Sequence, residues 1–268
     1  DVPTDNYVQA FSDARPNICE AIDLAKSAFV ANEVGCPLYM VHVSTAEACD
    51  LLEYFKAKGF NITAETCLHY LIFACDDECF VNNDDLAKFI KVNPAVHDSR
   101  SRDRLWKALA DGVIETVGTD HNAYAASLKL DKDFWSTICG VGGSYSVLLP
   151  IMFSEGVNKG RINIDTLRKV LSENPAKAFG LYPQKGTLNV GADADIVIID
   201  PQKEMTIDYK DQESIGEFSI YQGMKVKGMP VATFARGHLV AENYKVVADK
   251  GHGHMLNLDN EGFKVKVH

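Results

Sequence analysis

Two short segments hold the residues best suited to chemistry. Val41-His42-Val43-Ser44 puts a histidine at the end of an apolar run, and Gly118-Thr119-Asp120-His121 puts an aspartate in the same position. A neutral imidazole nitrogen is a good donor to a divalent metal. A carboxylate emerging from a buried strand costs on the order of several kcal/mol unless a metal or cation meets it. The same carboxylate can bind the ion and take a proton as general base. Each residue has a bland reading too: a core histidine bonded to backbone, and an aspartate capping the next helix. Taken singly, the histidine fits the core reading better, and the aspartate fits its two readings equally.

Other positions are weaker. His69, in Glu65-Thr66-Cys67-Leu68-His69-Tyr70, follows a strand but reads as structural. In Lys91-Val92-Asn93-Pro94 the proline holds Asn93 extended, so it either offers backbone groups to an amide-like ligand or forms a turn. Gly140-Val141-Gly142-Gly143 lacks the strand context and the lysine of a phosphate loop, and reads as a substrate-side loop or a plain turn. His252-Gly253-His254 has metal-ligand spacing but sits in a polar, Gly-rich tail away from any buried strand, which argues against a metal there.

The elements that must position these residues alternate. Apolar spacing at Ile18, Ala21, Ile22, Ala25, Ala28 and Phe29 predicts a helix over 16–34, stopped by Gly35. The run 38–43 predicts a strand buried on both faces. Ser44 or Thr45 can cap a helix running to Lys56, with Gly59 as its stop. Strands are predicted at 60–64, 89–93 and 114–119, and helices at 101–110, 145–153 and 164–171. Such alternation means parallel βα units, whose strand C-termini are where a barrel builds its active site. After Tyr182-Pro183 the pattern changes to short strands between Gly and Pro turns, at 194–199, 225–226, 231–236 and 245–247. This predicts a smaller β-rich domain.

The chain has 268 residues, enough for one large domain or up to two smaller ones. A hydrophobic content of 46% excludes a disordered chain, and no apolar run is long enough to span a membrane. Lys+Arg is 27 against 37 Asp+Glu, a net charge of −10, so the electrostatic drive for nucleic-acid binding is missing. Seven cysteines, mostly inside apolar runs, read as reduced thiols in a cytoplasmic protein. Cys75 and Cys79 lack a second pair at zinc-site distance, so a structural zinc is not expected. The polar, acidic N-terminus carries no secretory signal, and the missing Met suggests that the chain was cut from something longer.

In order along the chain, these segments resemble the cyclic amidohydrolases of the hydantoinase and dihydropyrimidinase group. The resemblance rests on Arg15-Pro16 with Glu20, on 37–44, on Glu65-Thr66-Cys67 with His69-Tyr70, on 91–94 and on 118–121. It continues through 156–162, 174–177, 185–197, 223–228 and the tail at 251–253. The resemblance implies the C-terminal part of a TIM-type (β/α)8 barrel, about strands 6–8 with their helices, over 1–185, with a sandwich-type small domain and tail over 186–268. It implies a site with two divalent metals, usually zinc, bridged by a carboxylated lysine and a hydroxide that attacks the ring carbonyl of a dihydropyrimidine, hydantoin or similar ring. By resemblance, His42 binds metal on strand six. Asp120 on strand eight binds metal and shuttles the proton, and Asn93 with the loop holding Gly142 and Gly143 binds the ring. His69 matches a position that is not a ligand.

The family's other ligands, a His-x-His pair, the carboxylated lysine and a further histidine, belong to strands that precede this segment. The segment alone is therefore expected to be inactive, and to oligomerise as a dimer or tetramer. The alternatives are a non-catalytic scaffold on the same fold, or an allantoinase- or dihydroorotase-like member.

Overall fold

A computed structural model describes residues 4–256; the remaining residues of the predicted N-terminus and small domain (1–3 and 257–268) lie outside the described part. The chain divides into two compact units that interleave in sequence. Among the described residues one comprises 4–148 with 206–224, the other 149–205 with 225–256.

The first unit begins with helices α1 (Tyr7–Asp13) and α2 (Asn17–Glu33), then β1 (Leu38–Met40), α3 (Ala46–Ala57), β2 (Ile62–Cys67), α4 (Leu68–Ile72), α5 (Asp84–Ile90), α6 (Ser99–Ala110), β3 (Thr116–Gly118) and α7 (Ala126–Leu130). The helix starts have local causes. Asn6 accepts the amide of Gln9, Thr45 that of Ala48, Asn83 that of Leu86 and Asp98 that of Ser101, each satisfying a donor the first turn leaves open. Gly35 and Gly59, both left-handed, follow the ends of α2 and α3.

The three strands form one parallel sheet in the order β1-β2-β3. Leu38 pairs with Ile62 and Glu65 with Thr116. On one face α3 packs against β2 and α6; Ala48, Cys49, Leu52 and Phe55 of α3 and Leu105, Ala108 and Leu109 of α6 are all essentially inaccessible to water. Full burial of a Leu or Phe contributes roughly 1.5–3 kcal/mol. The other face is polar. Tyr39 of β1 donates to the Glu65 carboxylate of β2 at 3.0 Å and lies 2.8 Å from the Thr116 hydroxyl of β3. One network thus ties all three strands together.

Two expectations are corrected here. The predicted strand at 89–93 is absent; Phe89 and Ile90 end helix α5. A short apolar run cannot by itself distinguish strand from helix end, and the Asn83 cap with Ala87 and Ile90 facing inward decides for helix. The strand predicted over 38–43 is only Leu38–Met40 and is half-buried rather than buried on both faces. Among the described residues it has a neighbour on one side alone, and Tyr39 points to the polar face.

The chain enters the second unit within α8 (Leu148–Ile151), which runs on as a π-helical stretch over Met152–Val157. Next come α9 (Ile164–Arg168), a second π-helical stretch over Lys169–Glu173, and α10 (Asn174–Ala178). The strands are β4 (Ile196–Thr206), β5 (Lys225–Ala235), β6 (His238–Glu242) and β7 (Lys245–Val246), in sheet order β4-β5-β6-β7. The strands predicted at 225–226 and 231–236 are one strand. Gly228 keeps it continuous at φ 104°, where a Cβ would stand 2.1 Å from the Phe153 ring. Tight turns at Arg236-Gly237 and Asn243-Tyr244, all left-handed, close the two antiparallel hairpins.

Candidate active site

His42 and Asp120 leave the sheet at the same edge. His42 stands two residues beyond β1, Asp120 two beyond β3, and β2 lies between them. Strand spacing puts their backbones about 10 Å apart, a gap two side chains can close. Both have left-handed backbones, φ 44° for His42 and 46° for Asp120. For a residue with a Cβ that conformation costs roughly 1–2 kcal/mol, and it persists only where surrounding contacts hold it. Around His42 the contacts are identifiable. The Val43 amide donates to the Glu65 carbonyl at 2.8 Å, the Thr66 hydroxyl donates to the Val43 carbonyl at 2.7 Å, and Ser44 is tied to Glu20.

Both side chains are partly accessible. Burial raises the pKa of the Asp120 carboxyl, and the nearby His42 opposes the rise. A carboxylate desolvated by burial, with an imidazole within electrostatic reach, is suited to accept a proton. Their nitrogen and oxygen donors suit a divalent cation such as zinc. Among the described residues no three His, Cys, Asp or Glu side chains come together as a ligand set.

The remaining predicted residues are drawn to this edge by a stitched group of loops. Gly140 donates its amide to the Lys91 carbonyl at 2.9 Å, and Asn122 donates to the Val141 carbonyl at 2.8 Å. Asn93 is exposed, and its amide nitrogen contacts the Cys139 sulfur at 3.3 Å. Tyr70 donates its hydroxyl to the Pro94 carbonyl at 2.7 Å. Gly142 and Gly143 are buried: a Cβ on Gly142 would stand 2.9 Å from the Phe218 ring, and one on Gly143 2.3 Å from Ser219. Their carbonyls accept from Ile220 and Ser219.

Sequence reasoning missed two lysines that hold these loops. Lys91, buried, donates to the carbonyls of Phe134, Trp135 and Thr137 at 2.8–2.9 Å. Lys129, equally buried, donates to the carbonyls of Lys91 and Ile138 at 3.0 and 2.9 Å. Burial lowers both ammonium pKa values, that of Lys129 to about 8, with Lys91 adding repulsion and Cys139 opposing. The signal was available: Lys91 interrupts the apolar run Phe89-Ile90-Lys91-Val92. His121, next to Asp120, accepts the Ser144 amide at Nδ1 and meets the Ser214 hydroxyl at Nε2.

His69 is fully buried, with no hydrogen-bond partner at either ring nitrogen and its ring 4.0 Å from that of Tyr70. Burial, with a smaller contribution from His42, pushes its pKa down to about 3. His252 packs against His238, and its carbonyl accepts from Arg236 at 2.6 Å. All seven cysteines are free thiols. No helix among the described residues is long and apolar enough to cross a membrane.

The L-hydantoinase of Paenarthrobacter aurescens is 34% identical over 94% of this chain and 54% of its own length. The D-hydantoinase of Ralstonia pickettii is 36% identical over 91% of this chain and 53% of its own length. A solved structure of L-hydantoinase (dihydropyrimidinase) from Arthrobacter aurescens superposes with a TM-score of 0.82 at 34% identity, covering 91% of this chain and 53% of that one. Dihydropyrimidinase from Brevibacillus agri superposes with a TM-score of 0.78 at 31% identity, covering 89% and 52%. The chain thus spans about half the length of the relatives it matches. The model of the amidohydrolase family matches residues 27–240, most of the chain, and the chain belongs to that family.

Proposed function

We propose that this chain carries part of the active site of a hydrolase that opens a small cyclic amide ring of the dihydropyrimidine or hydantoin kind. The observation that carries the reading is His42 and Asp120 leaving one parallel sheet at its C-terminal edge, each in a left-handed turn. His42 and Asp120 would hold a divalent cation, whose chemistry when bound is to polarise a carbonyl and acidify water. Asp120 accepts a proton at its carboxylate and returns it to the departing ring nitrogen. Asn93, exposed at the rim, orients the ring through its amide and backbone groups. The loop with Gly142 and Gly143, pinned by Phe218 and Ser219, closes that wall of the pocket. Lys91 and Lys129 keep the wall rigid.

In this reading β1–β3 are the last strands of a barrel, and further elements supply the other metal ligands. Two features support it. The sheet edge at β1 is half-exposed, and Ile22 and Val30 of α2 with Val34, the residue after its end, are 60%, 61% and 65% exposed. Apolar area of this kind on an amphipathic helix marks a packing surface. In the second unit, β4 likewise leaves Ile196, Val197 and Ile198 open.

The experiment is metal analysis plus hydrolysis of dihydrouracil and hydantoin by protein that includes the remaining barrel strands. Wild type is compared with His42→Ala and Asp120→Asn. Metal-dependent turnover that both substitutions remove is expected. Full activity in either variant overturns the site, and a wild type that binds no metal and turns over neither ring points to a non-catalytic scaffold. The chain alone is expected to be inactive; turnover by it overturns the partial-shell reading.

A further inference from the structure

The acidic residue in the first turn of α2 has no part in the chemistry above, yet it reaches the segment that shapes the site. Glu20 takes the Ser44 amide at 2.8 Å and the Ser44 hydroxyl at 3.2 Å on the same oxygen, Oε1. Ser44 lies two residues beyond His42 and immediately before Thr45, the cap of α3. Burial raises the Glu20 pKa, and hydrogen bonds from Thr45 and Ser44 oppose the rise. A chain that has just made a left-handed turn at His42 will relax to extended or right-handed backbone unless it is held on both sides. On the upstream side the β1 ladder holds it. On the downstream side the holds are the Val43 bonds to β2 and the Ser44 bonds to Glu20.

We propose that Glu20 is a positioning residue for His42: by anchoring Ser44 to helix α2 it keeps the 42–45 segment in the turn that directs the imidazole to the strand edge. The proposal rests on the reading of His42 as a metal ligand, but its first test does not need metal. Hydrogen–deuterium exchange of this chain reads the Val43 amide, whose own acceptor is Glu65 and not Glu20. In Glu20→Ala that amide is expected to exchange about 10-fold faster, as local opening spreads, while the α3 core around Leu52 keeps its protection. Glu20→Gln retains an accepting oxygen for Ser44 and should restore the wild-type rate.

An unchanged Val43 rate in Glu20→Ala overturns the proposal. So does an equal loss of protection throughout α2 and α3, which would make Glu20 a general packing group. If Glu20→Ala does not fold, Glu20→Asp, shorter by one methylene, takes its place; faster Val43 exchange supports the proposal and an unchanged rate overturns it. In protein carrying the remaining ligands, Glu20→Ala should weaken zinc binding about 10-fold, the lower end of the usual effect of supporting residues, with Glu20→Gln close to wild type. Zinc affinity untouched by His42→Ala would remove the metal reading alone, and the Val43 exchange would still decide the role of Glu20.

Discussion

His42 and His69 begin from the same place, the C-terminal ends of neighbouring parallel strands, and finish in opposite environments. After β1 the chain turns left-handed at His42, and the ring stays part-exposed within reach of the Asp120 charge. After β2 helix α4 starts at once, at Leu68, and carries His69 inward until both ring nitrogens lack partners. A strand end is therefore a place where chemistry is possible, and the next two residues decide whether the side chain faces solvent or core.

The sharpest way to break this contrast is by substitution in protein with the complete barrel. His42→Ala and Asp120→Asn should each lower turnover at least about 100-fold, the usual scale for losing a proton-transfer or ligand group, as measured by ring-opening kinetics. His69→Leu should leave turnover nearly unchanged. A large loss in His69→Leu would make the two histidines partners.

Acid should act through the other histidine. Unfolded, the His69 ring takes a proton near pH 6.5; folded, only at about 3. The native state therefore holds fewer protons between those values, so stability is full above pH 6.5 and falls as the pH drops through the window. Between pH 7 and 5 the loss attributable to this ring is about 2 kcal/mol, and urea unfolding at the two pH values measures it. His69→Leu should flatten that part of the slope.

Smaller effects test the polar face beneath both ends. A Cβ at Gly118 would lie 2.8 Å from the Glu65 carboxyl carbon, so Gly118→Ala must push that side chain off Tyr39. The expected cost is about 1 kcal/mol, one hydrogen bond, by urea titration. Smallest of all, a chelator should shift the melting temperature of this chain by less than about 1 °C, because two ligands hold too little metal to stabilise the fold by mass action.

Several local features were legible from residue order. The stops at Gly35 and Gly59 and the Thr45 cap depend on neighbours within a few positions. The segment 89–93 was misread because its apolar run fits both periods; its role as a helix end depends on the Asn83 cap and on packing by Ala87 and Ile90. Likewise Ile18 and Ile22 fall on a helical apolar pattern, yet they stand 55% and 60% exposed. Periodicity identifies an apolar face but not which side finds a partner.

For the site the division is similar. Sequence alone determined the candidates, a histidine and an aspartate after apolar runs, because those residue types in that setting are costly without a chemical purpose. It also pointed to the family, through an ordered set of short matches. Only the tertiary structure decided that the two leave one sheet at one edge in matching left-handed turns, and that Lys91, Lys129 and Glu20 hold the loops around them. Register, burial and hydrogen bonding between positions tens of residues apart are properties of the packed chain, and no window of sequence contains them.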